Sequence, residues 1–276
     1  MNVPRHGRTV ALAGHGASRP VASAAVHLYG VVNASPDSLH TDSIVDDATS
    51  ALARARTLLA QGADAIDLGG QGSTDAATVV DWTVEWQRLE TIVPALAALG
   101  VDLSVDTWRP EVARRSLAAG ATVLNAADGM QTDAMWQVVA DFDVPVVVPF
   151  LSGPDPRSMR RVERDPVDEI VEFFEARLAD ADRWGLRHRC ILDPGTGFAP
   201  PEWPWEERYL YQKRVYTHLD ALRRFGLPLY VALPWKRTAQ HDELLEIVVR
   251  ARPEYGRVHH PDRVRALEQH LGLGPV

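Results

Sequence analysis

Seven short apolar runs in this chain stop at a polar residue: Asn33, Asp67, Asp106, Asn125, Asp193, Lys236 and Arg257. A buried strand needs no carboxylate, amide or cation at its end, so each is a candidate for chemistry. Asp106, in Ser104-Val-Asp-Thr107, and Asp193, in Leu192-Asp-Pro-Gly195, follow apolar runs directly. Such carboxylates must be hydrogen-bonded or paired. Two of them can accept hydrogen bonds from the N–C–N edge of a flat heterocycle, and Asn125 can offer the same ring a donor and an acceptor. Helix capping or a structural ion pair would use the same residue types. Arg257 and His259 alternate, so in a strand they point the same way and suit an anion. Lys236, after Pro234-Trp235, is either a solvated loop charge or a donor to a ring carbonyl or ring nitrogen. There is no HExxH motif, cysteine cluster or nucleophile elbow to support a protein-held zinc or a Ser/His/Asp triad.

These residues need elements to bring them together. Strands are expected at 28–32, 63–68, 101–105, 122–124, 144–148, 190–192, 227–233 and 255–258. Helical apolar spacing runs over 46–61, 82–99, 111–119, 133–141, 166–184, 206–225, 242–250 and 261–271. Gly62, Gly100, Gly120, Gly185 and Gly226 stand where helices stop, and Pro110 where one starts. Strict alternation of strand and helix means a parallel sheet, and eight units favour a closed (β/α)8 TIM barrel over an open one. Such a barrel delivers strand ends to one mouth. Asn33-Ala-Ser-Pro-Asp-Ser38 and Gly69-Gly-Gln-Gly-Ser-Thr74 leave the first two strands as loops. The second can bring backbone N–H groups close to an anion, although it has no Walker lysine.

The 276 residues make one barrel over 28–276, preceded by an arm over 1–27 with no helical period or secretory h-region. A short hairpin of that arm could close the barrel floor. A net charge of -8 argues against binding nucleic acid by bulk electrostatics. No apolar run reaches the roughly 20 residues needed to span a membrane. The one cysteine, Cys190, has no internal disulfide partner and reads as a core residue. A cytoplasmic location is the default expectation.

Taken together, Gly30-Val-Val-Asn-Ala-Ser-Pro-Asp-Ser38, Ala65-Ile-Asp-Leu-Gly-Gly70, Ser104-Val-Asp-Thr107, Asn125, Ile191-Leu-Asp-Pro-Gly195 with Gly197-Phe198, Lys236 and Arg257-Val-His259 resemble the dihydropteroate synthase family of the pterin-binding superfamily. The resemblance covers roughly residues 28 to 271. It implies condensation of 6-hydroxymethyl-dihydropterin diphosphate with para-aminobenzoate. It implies that Asp106, Asn125, Asp193 and Lys236 hold the pterin, with Asp106, Asp193 and Lys236 the catalytic group. Asn33, Arg257 and His259 would bind diphosphate, with Asn33 also on a Mg²⁺ cofactor. Thr74 and Phe198 would lie near the amine acceptor. Homodimers are common in the family.

The chain also departs from that pattern. Asp75-Ala76 stand where the family has Arg-Pro, and Gly72 is extra. Ala126 follows Asn125 in place of Asp. Pro234-Trp-Lys-Arg237 replaces Ser-Arg-Lys-Ser, Thr196-Gly-Phe-Ala-Pro200 replaces Phe-Gly-Phe-Gly-Lys, and Val148-Pro-Phe150 replaces a Met-His strand end. Only 21 positions separate Lys236 from Arg257, which shortens the seventh helix relative to the family. The pterin-facing set is kept while the acceptor and diphosphate sides change. Two alternatives to a divergent transferase therefore stand beside it. One is a paralogue without synthase activity, acting on another substrate or binding a partner. The other is a pterin-dependent methyltransferase, which would have no need of Lys236 or of the Arg257/His259 pair.

Overall fold

Apolar strands separated by amphipathic helices satisfy their backbones by pairing side by side, with the helices packed outside. The computed structural model describes residues 25–37, 41–72, 77–200 and 202–274. Eight parallel strands are present: β1 (His27–Asn33), β2 (Ala65–Gly69), β3 (Leu103–Thr107), β4 (Val123–Ala126), β5 (Val146–Pro149), β6 (Cys190–Asp193), β7 (Tyr230–Ala232) and β8 (Tyr255–Val258). They pair in the order β6-β5-β4-β3-β2-β1-β8-β7. A parallel bridge between Leu192 and Leu229, with the Leu192 N–H donating to Pro228 O at 2.9 Å, joins the two ends. The sheet is thus a (β/α)8 barrel.

Among the described residues the outer layer comprises α1 (Ala48–Ala60), α2 (Trp82–Leu89), α3 (Ile92–Ala97), α4 (Pro110–Ala118), α5 (Asp133–Phe142), α6 (Pro166–Trp184), α7 (Trp205–Thr217), α8 (Ala239–Ala251) and α9 (Pro261–His270). Their starts are chemically marked. Asp47 and Ser50 form a capping box on α1, Asp165 caps α6 ahead of Pro166, and Thr238 caps α8. The single helix expected over 82–99 is two. Pro94 has no N–H, and its ring would collide with the Glu90 carbonyl in a continuous helix, so the chain breaks at 90–91 and Pro94 falls in the first turn of α3. The helix expected over 206–225 ends at Thr217 and continues as a 3-10 turn over Leu219–Phe225. There the Thr217 hydroxyl and the His218 ring compete for the carbonyls of Lys213 and Arg214. The helix after β7 is longer than the expected 242–250 and, at 13 residues, equals α1 and α7.

Residues 1–24 of the expected arm, and any floor hairpin there, lie outside the described residues. His27 already belongs to β1, and the Val26 N–H donates to Glu268 Oε1 of α9 at 2.8 Å. Alternate strand residues face the barrel axis. A lower layer of Tyr29, Ala65, Val123, Val147, Ile191 and Tyr230 packs as its own apolar cluster. Two residues further along β2, β4, β6 and β8 the inward positions are Asp67, Asn125, Asp193 and Arg257, while Asp106 of β3 pairs in register with Asn125. Outward residues such as Leu28, Val32, Leu68, Val105, Leu124 and Leu192 join the main core against the helices. The period of two therefore gathers the polar strand ends into one layer at the C-terminal mouth.

Candidate active site

The polar layer is a connected set. Arg257 Nε donates to Asp67 Oδ2 at 2.6 Å, and Arg257 Nη2 donates to Asp106 Oδ2 at 3.4 Å. Asn125 Nδ2 approaches Asp67 Oδ1 at 3.5 Å. Asp193 Oδ1 accepts the Gly195 N–H at 2.8 Å, within the Asp193-Pro194-Gly195 turn. Gly195 has a φ of +70°, and a Cβ there would stand 2.0 Å from Phe150 O, so only glycine fits this turn. Behind β3, the Thr107 hydroxyl donates to the fully buried Glu85 of α2 at 2.8 Å, and Arg109 pairs with the same carboxylate. This buried network fixes the strand end that carries Asp106.

Removal from water dominates the electrostatics. Burial, reinforced by Asp67 and opposed by Arg257, raises the pKa of Asp106 to about 7. Burial likewise raises Asp193 to about 7, with the Gly195 N–H and Arg257 pulling against it. Burial works against the charge on Arg257, but Asp67 and Asp106 more than offset it, so Arg257 stays a cation. Asp128, just past β4, is raised to about 6 by burial although the Met130 N–H and the Thr132 hydroxyl donate to it. Carboxyl groups with values shifted this far by burial, gathered in a concave mouth, mark a candidate functional site.

A cavity of about 340 Å³ opens beside this layer, between the loops after β6 and β7 and the first turns of α7 and α8. Phe198, Lys236, Arg257 and His259 line it together, as do Trp203, Trp205, Trp235, Arg208 and His241. Arg257 thus touches both the carboxylates and the cavity. Lys236 Nζ lies 5.7 Å from the Trp235 ring centre, and the His259 ring meets Trp235 edge-on at 5.6 Å. Trp205 stacks on His241 with ring centres 4.1 Å apart and planes within 2°. Burial and the nearby Lys236 and Arg208 lower the His241 pKa.

Asn33 ends β1 level with Gly69, which pairs with Asp106. Its Nδ2 donates to Ser43 Oγ at 2.7 Å, and its Oδ1 lies 3.2 Å from where a Cβ on Gly69 would stand. The glycines of this loop are explained by close packing. A Cβ on Gly70 would meet Leu89 at 2.9 Å, and one on Gly72 would meet Ala77 at 2.8 Å. The Gly72 N–H donates to Ser35 Oγ at 3.1 Å, so that amide is bound within the loops instead of facing an anion. Among the described residues no group of three His, Cys, Asp or Glu could cage a metal ion.

The structure brings Asp106, Asn125, Asp193 and Arg257 into one layer, and Phe198, Lys236, Arg257 and His259 into one cavity. Asn33 stands at the β1 edge of the layer and outside the cavity lining. Thr74, with Asp75 and Ala76, lies outside the described residues. Lys236 lines the cavity, and its side chain is not among the partners of Asp106, Asn125 or Asp193. Asp67 stood among the polar strand ends but was assigned no part in binding, yet it is the nearest partner of Arg257; its position two residues after Ala65 in an alternating strand was the available signal. Arg208, Gln212 and Tyr216 of α7 were also missed. Their spacing of four residues puts one polar stripe on the inner face of that helix, where Gln212 Nε2 donates to Thr196 O at 2.8 Å and Tyr216 OH to Ala232 O at 3.0 Å. Cys190 is buried as expected, and burial pushes its thiol up to about 12.

A family model described as pterin binding enzyme matches residues 29–253. The chain is 33% identical over 216 residues to the dihydropteroate synthase type-2 of Escherichia coli, with 76% of each covered. It is 36% identical over 172 residues, 61% of its length, to a probable bifunctional folylpolyglutamate synthase/dihydropteroate synthase of Halobacterium salinarum, and spans 21% of that protein. The Thermus thermophilus dihydropteroate synthase in complex with 4-aminobenzoate is similar with a TM-score of 0.73 and 29% identity, over 92% of this chain and 96% of that one. The same enzyme in complex with 6HMPPP gives a TM-score of 0.71 and 30% identity, over 92% and 95%. With its barrel, its polar mouth and these matches, the chain belongs to the dihydropteroate synthase family of pterin-binding enzymes.

Proposed function

We propose that this transferase joins 6-hydroxymethyl-dihydropterin diphosphate to an aromatic amine such as 4-aminobenzoate, with release of diphosphate. The observation that carries the reading is Arg257, which contacts Asp67 and Asp106 on one side and lines the cavity on the other. A heterocycle held by carboxylates and a leaving anion held by cations would meet there. Asp106, Asn125 and Asp193 would accept and donate hydrogen bonds to the pterin edge, and Lys236 would reach its ring from the cavity side. Arg257 and His259 would hold the diphosphate. The C–O bond to diphosphate breaks and the leaving group keeps the electron pair. The amine lone pair forms the new C–N bond, and the nitrogen then gives up a proton. Buried carboxylates beside the pterin stabilise positive charge on its methylene carbon, and cations at the mouth stabilise the charge on the departing oxygen.

A Mg²⁺ ion in such a site would take its oxygen ligands chiefly from the diphosphate and water, with one or two from protein. A single amide oxygen, Asn33 Oδ1, fits that role at the edge of the polar layer, whereas an all-protein cage does not fit. Bound there, the ion would neutralise charge on the leaving diphosphate. The cluster of Lys236, Arg257 and His259 in one cavity favours this transfer over the methyltransferase alternative. Calorimetric titration with 6-hydroxymethyl-dihydropterin diphosphate tests the donor half. Binding that tightens when Mg²⁺ is added is expected; a folded protein that does not bind the compound would refute the reading.

A further inference from the structure

The cavity holds a charge that the donor half of the reaction does not use. Among the described residues its lining includes Arg208, Lys236 and Arg257 and no carboxylate, in a chain of net charge -8. Arg257 is paired with Asp67 and Asp106, and Lys236 is exposed. Arg208 differs from both. It projects from the first turn of α7 into the cavity, and among the described residues no carboxylate forms an ion pair with it. Its Nε is buried and has no hydrogen-bond partner, while Nη2 makes one contact, with Gly197 O at 3.3 Å. Burial depresses its pKa. A partly buried guanidinium whose Nε has no acceptor gains from a ligand that supplies an oxygen and the opposite charge. The stacked Trp205–His241 pair makes a flat wall of the same cavity.

We propose that Arg208 binds the carboxylate of the second, amine-bearing substrate, whose ring lies in the aromatic part of the cavity formed by Phe198 and Trp205. This rests on the transferase reading above and deepens it. The two family-type serines around Lys236 are replaced here by Pro234 and Arg237, and among the described residues Arg237 does not line the cavity, so an acid group inside it needs another donor; the Arg208 guanidinium can bind it through two parallel N–H bonds. Arg208 is then the residue that makes the enzyme select an aminobenzoate over a neutral aniline.

Both substrates are anions, so the test separates them. At saturating pterin diphosphate, kcat/KM is measured for 4-aminobenzoate and for 4-methylaniline in the wild type, Arg208→Gln and Arg208→Lys; an amine that is not turned over is scored by its inhibition constant. Arg208→Gln is expected to lower kcat/KM for 4-aminobenzoate by about 10- to 100-fold, the worth of a hydrogen bond between charged groups. It should leave 4-methylaniline and the KM for pterin diphosphate unchanged, and Arg208→Lys should restore part of the loss. Equal losses with both amines would overturn the proposal, because the guanidinium would then only brace the Gly197 loop. A rise confined to the KM for pterin diphosphate would overturn it by placing Arg208 on the other anion. A wild type that binds pterin diphosphate yet releases none with either amine would refute the transferase reading itself. An active wild type indifferent to Arg208→Gln would refute only the assignment of Arg208.

Discussion

Asp193→Asn should stabilise the ligand-free protein at alkaline pH while removing its affinity for a pterin. Asp193 is only 5% exposed, and burial lifts its pKa from the ordinary aspartate value to about 7. Between pH 4 and 7 the folded state therefore holds a proton that the unfolded chain has released. Stability contributed by this group is greatest below the unfolded value, falls as the pH rises and levels off above 7. At about 1.4 kcal/mol per pH unit of displacement, keeping the charge buried costs as much as about 4 kcal/mol at pH 8. An asparagine there has no charge to bury, and its Oδ1 can still accept the Gly195 N–H. It would, however, present an N–H donor where the ring edge needs an acceptor. Urea unfolding of both proteins at pH 5 and pH 8, with calorimetric titration of pterin diphosphate, reads both effects. Expected are a gain in stability for the variant that is larger at pH 8 than at pH 5 by about 2–3 kcal/mol, and loss of binding. A variant less stable than wild type at pH 8, or a difference independent of pH, would refute the electrostatic reasoning. Normal binding would remove Asp193 from the site.

Arg257→Met should cost about 3–5 kcal/mol at pH 8, because it strands Asp67 with no exposed side-chain surface and no cation. The loss should shrink at pH 5, where Asp106, raised to about 7 by burial, takes up a proton, and urea midpoints at the two pH values check this. Lys236→Ala removes an exposed side chain, so stability should change by less than about 0.5 kcal/mol. Its affinity for pterin diphosphate should nevertheless fall about tenfold or more by calorimetry if the ammonium reaches the ring. Gly195→Ala places a side chain at a positive φ and against Phe150 O, so it should lower stability by more than about 2 kcal/mol in thermal unfolding and disturb the Asp193 turn.

The barrel was legible because each strand is a short apolar run and each helix carries its own start and stop signals. The polar layer was legible for the same reason: a carboxylate or amide at the end of an apolar run has to face somewhere, and a parallel barrel sends all such ends to one mouth. The breaks at Glu90–Thr91 and His218 were not foreseen. Both lie inside sequences of good apolar spacing, and a proline ring or side chains competing for end carbonyls overrode the pattern. Asp67 was picked out as a strand end, but its pairing with Arg257, 190 residues away in sequence, was missed because no local pattern spans that distance. The stripe of Arg208, Gln212 and Tyr216 escaped notice because a polar residue on an inner helix face reads locally like one on an outer face. The glycine-rich loop after β2 suggested an anion cradle, whereas Gly69, Gly70 and Gly72 are needed for close packing against Asn33, Leu89 and Ala77.

The most direct measurement is diphosphate release by the purified protein supplied with 6-hydroxymethyl-dihydropterin diphosphate, Mg²⁺ and 4-aminobenzoate, with each component omitted in turn. The expected result is release that needs both organic substrates, together with formation of the joined product. A folded protein that binds the pterin diphosphate but releases nothing with any aromatic amine would contradict it and leave a pterin-binding barrel without transferase chemistry.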